Sequence, residues 1–268
     1  MARLAVAAPQ WRISTDRTAA ARAAAAAGAD QLHLDFGGAH RGPPLGEPGR
    51  LREAAAVAAD LPVPVLAVNH VNDLGLADDR GAVPPAVPDL LARALDCAHR
   101  LGARVLHVPA FRRSLPLTGA RRHGVVGVLR ALGEQVRDAG LTLAFESPLD
   151  AGESVALARE VDCPALRLVL DTGNLLDAGA DPSRFARTVL AAGLLQPDLH
   201  VKDPGPPVRD PWPPPAPGAV RDGLRELLRE AAARSVLVEN DYLRAPERLR
   251  TDISLCRRAA GPGDKEER

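Results

Sequence analysis

Lysine is almost missing from this chain. Of 34 basic residues only Lys202 and Lys265 are lysines. Arginine fills every other basic position, so the one lysine inside the body of the chain, Lys202, stands out, because ammonium and guanidinium are not chemically interchangeable. Aromatic residues are scarce at 3%. The three cysteines, Cys97, Cys163 and Cys256, show no CxxC spacing, which excludes a disulfide framework and a thiolate metal site. Net charge is absent too: 34 acidic residues balance the 34 basic ones. No bulk field therefore draws the protein to nucleic acid or to an anionic membrane. No run of about 18 apolar residues occurs, as a membrane-spanning helix would need. The opening MARLAVAAPQW has no long apolar stretch of signal-peptide type. Together these absences predict a soluble, cytoplasmic protein.

What the chain does have is a regular alternation. β-like runs at 4–8, 31–36, 63–69, 103–109, 141–146, 166–171, 197–202 and 235–239 alternate with amphipathic Ala/Leu/Arg stretches. Gly28 is placed to cap the first of these helices. Eight βα repeats within 268 residues match an α/β fold of the (β/α)8 TIM-barrel type, a single domain over 1–260. A doubly wound open sheet has the same period, but no GxGxxG follows the first strand. Two segments break the pattern. Residues 203–218 hold eight prolines, a stiff, extended segment that reads either as a plain connector or as a lid with Trp212 over the site. The tail 261–268 is expected to be disordered.

In a barrel, reactive groups gather at the C-terminal strand ends. Those ends read Asp35, Asn69–His70, His107, Glu146, Asp171, His200 and Glu239. Side chains alternate along a strand, so an inward Glu146 brings Ala144 inward and turns Phe145 outward, and an inward His200 takes Lys202 with it. Glu146, Asp171, His200 and Glu239 fall on the last four strands. Three carboxylates converging with one imidazole repel one another unless a cation sits among them. An oxygen-rich set with one nitrogen suits one divalent ion, Mn2+, Mg2+ or Co2+, with Zn2+ also admissible. The competing reading is that some of these groups cap helices or pair with arginines.

The strings AFESP (144–148), LDTGN (170–174), HVKD (200–203) and VEND (238–241), in that order, resemble the sugar phosphate isomerase/epimerase family of xylose isomerase-like barrels. GADQLHLDF (28–36) resembles its second strand. The resemblance spans roughly residues 3–245. It implies one divalent metal held by Glu146, Asp171, His200 and Glu239. Many members carry a histidine three residues after the strand-6 aspartate, where this chain has Asn174. AP endonucleases of the same superfamily need that histidine and an Asp-x-His that is absent here, where Asp210 is followed by Pro211 and Trp212.

The chemistry that the resemblance implies is proton transfer beside the carbonyl of a ketose, inosose or related keto-polyol, through an enediolate. Glu146 and Glu239 are the expected acid and base, and Lys202 a catalytic ammonium. His70, His107, Asn174 and Trp212 are expected to contact a small, sugar-like substrate, and Ser147 to line the wall. Trp11, Phe36, Phe111 and Tyr242 are the other aromatic groups available for stacking on it. Asp35, His33 and His40 are weaker candidates, and His99 and His123 are expected to face solvent. No basic cluster marks a phosphate pocket, although Arg112–Arg113, Arg209 and Arg244 are candidates. A metal-dependent dehydratase, with His107 or Lys202 as the acid, is the alternative; an AP endonuclease and a non-catalytic barrel rank below it. The oligomeric state is left open.

Overall fold

The computed structural model describes residues 3–117, 119–203 and 217–261. The expected lid with Trp212 and the tail beyond Gly261 lie outside the described residues. Eight parallel strands appear where the alternation predicts them. They are β1 (Ala5–Pro9), β2 (Gln31–Asp35), β3 (Val65–Ala67), β4 (Val105–Pro109), β5 (Thr142–Glu146), β6 (Leu166–Leu168), β7 (Asp198–Val201) and β8 (Ser235–Val238). The ladder runs β6-β5-β4-β3-β2-β1-β8-β7. Parallel bridges Leu168↔Leu195 and Asp171↔His200 join its two edges, so the sheet closes into a barrel and leaves no unpaired edge.

The register fixes which side chains share the lumen. Pro109 lies opposite Glu146, His107 opposite Ala144, and His200 opposite Leu237. Val65, Val105, Ala144 and Val169 form a small apolar layer of their own, separate from the main core. The outward residues Phe145, Val238 and Leu143 belong to the large core shared with the helices. Small residues inside and larger ones outside leave room for polar groups at the C-terminal mouth.

The helices start and stop where local chemistry dictates. Asp16 caps Arg17–Ala27 by accepting from the Ala19 amide, and Gly28 ends it in the left-handed region at φ 90. Asp150 and Glu153 form a capping box at the start of Ala151–Val161. Asp181 precedes Pro182 at the first turn of Pro182–Ala191. One full helix escaped the sequence pattern, Arg248–Ala260, which buries Leu249, Ile253, Cys256 and Ala259. Leu249, Ile253 and Cys256 stand at helical spacing, but arginines at 248, 250, 257 and 258 make the segment strongly polar overall. Short helical turns at Gln10–Ile13, Val71–Leu74 and Thr172–Asp177 follow β1, β3 and β6 with at most three residues between and shape the mouth.

Candidate metal centre

Glu146, Asp171, His200 and Glu239 come together. One ligand atom from each lies within 4.8 Å of the others, and all four residues are buried. His200 Nδ1 is 3.2 Å from Glu146 Oε2, 3.2 Å from Glu239 Oε2 and 4.0 Å from Asp171 Oδ2. Neither His200 Nδ1 nor Asp171 Oδ2 has a hydrogen-bond partner among the described residues. Buried polar atoms are rarely left so.

The opposite oxygen of every carboxylate is held by the protein. Asp171 Oδ1 accepts from the Asn174 amide at 2.6 Å, as the cap of the turn Thr172–Asp177. Glu146 Oε1 accepts from Asn174 Nδ2 at 2.6 Å. Glu239 Oε1 accepts from the Trp11 indole N–H at 3.1 Å, with Arg12 3.7 Å away. Each carboxylate is thus oriented by one oxygen and turns the other toward a common point. Outer contacts of this kind set the aim of metal ligands. Three carboxylate oxygens and one imidazole nitrogen fit a hard divalent ion.

Lys202 is tied into the same network. Its ammonium donates to Asn174 Oδ1 at 2.6 Å and lies 3.6 Å from Asp171 Oδ2. An ammonium only donates, so the Asn174 amide oxygen must face it, and that choice turns the Asn174 amino group onto Glu146. Thr172 Oγ1 accepts from the Lys202 amide and donates to its carbonyl. A Cβ on Gly173 would lie 2.5 Å from Lys202 Cγ. The string LDTGN therefore supplies, in order, a carboxylate, a backbone clamp, room for the lysine stem and a directional amide.

The charges respond to this crowding. Burial and the neighbouring Glu146 charge push Asp171 up to about 8, against the pull of Lys202. Burial works against a charged His200, but the facing Glu146 and Glu239 raise it to about 10. Burial likewise opposes ionisation of Glu239, which His200 nevertheless draws down to about 2. Glu146 is held well below its usual range by His200 and His107, despite its burial.

Of the remaining expected residues, His107 joins the centre, its ring nitrogen within 4.8 Å of ligand atoms of Glu146 and His200, and the others scatter. His107 is buried, with Nε2 2.9 Å from Glu146 Oε2, so it stands against Glu146 inside the barrel. His33 is buried with neither ring nitrogen partnered among the described residues, and burial followed by the nearby His200 and His107 keeps it neutral. His70 Nδ1 lies 3.2 Å from Asp73 Oδ2. Asp35 is spent on the loops: it accepts from the Gly37 amide and from the backbone and side chain of Asn69. Ser147 is buried beside Glu146. Phe36 and Tyr242 are core residues, and the Tyr242 hydroxyl donates to Asp252 at 3.0 Å, which removes both as stacking surfaces. His40, His99 and His123 are exposed.

The orienting role of Trp11 and the approach of Arg12 are not legible in the sequence. Their only signal is position, directly after β1, where the turn Gln10–Ile13 follows the strand without a loop. Among the described residues, no helix is long and apolar enough to cross a membrane.

Residues 21–242 match the model of the xylose isomerase-like TIM barrel family. A protein of Actinoplanes sp., named 2-epi-5-epi-valiolone 7-phosphate 2-epimerase, is 38% identical over 259 residues, covering 94% of this chain and 93% of its own. Among solved structures, the E. coli 3-keto-D-glucoside 4-epimerase superposes with a TM-score of 0.67 at 15% identity, over 96% of this chain and 100% of the other. A xylose isomerase-like TIM barrel protein from Mycobacterium smegmatis in complex with magnesium gives 0.63 at 17%, over 96% and 97%.

Proposed function

Because the chain belongs to the xylose isomerase-like TIM barrel family, we propose that it is a sugar isomerase of the epimerase type, working with one divalent metal ion on a keto-polyol. The carrying observation is the set of four buried ligand atoms within 4.8 Å, each carboxylate held by its other oxygen. The relative from Actinoplanes is named as a 2-epimerase of a ketone, which supports proton transfer beside a carbonyl here. A divalent ion bound by the four residues would supply Lewis acidity to the substrate's carbonyl and hydroxyl oxygens.

The chain's own residues do the rest. Glu146 and Glu239 are the two carboxylates assigned to remove and return the proton on carbon, by way of an enediolate. Asn174 holds Glu146 as an acceptor because it can present only N–H on that side. Trp11 does the same for Glu239. Lys202 adds a fixed positive charge to the mouth, which favours the negative charge of the enediolate. Asp171 and His200 serve as ligands.

The relative from Actinoplanes is named as an epimerase, which favours epimerisation over elimination.

The test is solvent-deuterium exchange into a panel of ketoses and inososes with Mg2+, Mn2+ or Co2+ added to the chelator-treated protein. Metal-dependent deuterium incorporation without loss of water is expected. Absence of exchange across the panel with every ion, or exchange that needs no ion, overturns the reading.

A further inference from the structure

A second charged group gathers around Asp73, at the C-terminal ends of β2, β3 and β4 and across the mouth from β7. Arg41, from the loop after β2, pairs with Asp73. Arg112, from the loop after β4, places Nη1 3.5 Å from Asp73 Oδ1. Arg113 donates to the Asp73 carbonyl at 3.3 Å. His70 Nδ1 lies 3.2 Å from Asp73 Oδ2. Among the described residues no second carboxylate pairs with any of these arginines, so the Asp73 carboxylate meets two guanidinium groups while a third rests on its backbone carbonyl.

This arrangement is built, not incidental. Arg112 sits in the left-handed region at φ 50, a strain that the surroundings must hold in place. The loop after β4 is bolted to the loop after β3: the Phe111 amide donates to Asn72 Oδ1 at 2.7 Å and Ser114 Oγ donates to the Val71 carbonyl at 2.7 Å. Gly75 has φ 86, and a Cβ there would lie 3.2 Å from the Arg113 carbonyl. Arg112 is nonetheless 69% exposed, so an immobilised turn presents a guanidinium to solvent at the rim.

The strand register ties this cluster to the candidate centre. Pro109 is in register with Glu146, and Arg112 follows three residues later, at most roughly 10 Å along the backbone. We infer that Arg41, Arg112, Arg113 and His70 form a subsite for the phosphate monoester of a phosphorylated keto-polyol whose reacting carbon lies between Glu146 and Glu239. Guanidinium pairs match phosphate oxygens in geometry as well as charge. The inference rests on the proposed epimerase reading, since it takes the phosphate to be carried by that reaction's substrate.

Inorganic phosphate and glycerol 3-phosphate are titrated calorimetrically into the full-length protein, chelator-treated and Mg2+-loaded, with glycerol as control. Both phosphates are expected to bind in both states, and glycerol in neither. Arg112→Gln combined with Arg113→Gln is expected to weaken both phosphates by about tenfold or more, while R112K recovers part of the loss. Both replaced side chains are exposed, and an unchanged thermal midpoint shows that the double variant is folded. Phosphate affinity equal in wild type and double variant, or binding only when Mg2+ is present, overturns the subsite. The two readings fail separately: missing deuterium exchange with phosphate binding intact counts against the epimerase, and lost phosphate specificity with exchange intact counts against the subsite.

Discussion

Replacing Asp171 by asparagine should make the metal-free protein more stable and weaken its binding of a divalent ion. Asp171 is buried with Oδ2 unpartnered, and burial together with Glu146 raises it from 3.8 to about 8. Without a cation the folded chain must therefore keep a proton on Asp171 at pH 7, which the unfolded chain would release. At about 1.4 kcal/mol per pH unit, the cost reaches at most roughly 4 kcal/mol. Asparagine keeps the shape and caps a helix about as well as aspartate, so the turn at Thr172–Asp177 survives. Lys202 loses a partner at 3.6 Å, which offsets part of the gain. We expect a net gain of about 2 kcal/mol, or roughly 4–8 °C in Tm for a chain of this size.

The sign follows from the folded value lying above the unfolded one. The penalty is absent below about pH 4, grows through pH 8 and is constant beyond. His200, raised to about 10, adds stability below its unfolded value of 6.5 that is lost as pH rises toward 10. Both groups make chelator-treated wild type less stable from pH 6 to 8, whereas metal binding, which displaces protons, strengthens over the same range. Differential scanning fluorimetry with and without chelator, at pH 6, 7 and 8, reads all of this. The reasoning is refuted if D171N is less stable than chelator-treated wild type, or if chelator lowers the variant's Tm as much as the wild type's.

Three further outcomes are expected. Glu146→Gln and Glu239→Gln should each reduce deuterium exchange by about 10²-fold or more with the fold retained by circular dichroism; full turnover in either would remove that residue from the proton-transfer role. Asn174→Ala should lower kcat more than it raises KM, because it frees Glu146 Oε1 and cuts Lys202 from the network; a pure KM effect would assign Asn174 to substrate contact instead. Gly173→Ala must push Lys202 aside, since its Cβ would meet Cγ at 2.5 Å and the Asp203 carbonyl at 2.8 Å. We expect it to cost about 1–3 kcal/mol as overpacking does and to mimic the loss of Lys202 in steady-state kinetics; wild-type turnover would show that the lysine has no part in it.

The barrel was legible because its signals are local. Strand runs, caps such as Asp150 and Gly28, and the eightfold alternation all depend on neighbours within a few residues. Arg248–Ala260 was less legible because its arginines make it polar overall, although Leu249, Ile253 and Cys256 keep helical spacing. Glu146 and His200 could be picked out because alternation along a strand states which way each side chain points, whereas Asp171 lies three residues beyond the end of β6, as the cap of Thr172–Asp177, and is marked by the string LDTGN instead.

By itself, the sequence determined the number of strands, their order and the residue types at their C-terminal ends. Only the tertiary structure decided which of those end groups meet. His107 stands against Glu146; Asp35 is consumed by Gly37 and Asn69; His70 joins Asp73 and the arginines around it. Barrel closure at Asp171↔His200 brings together groups far apart in the chain, and the partners they find depend on register and loop path. A periodicity of two along one strand carries no information about either.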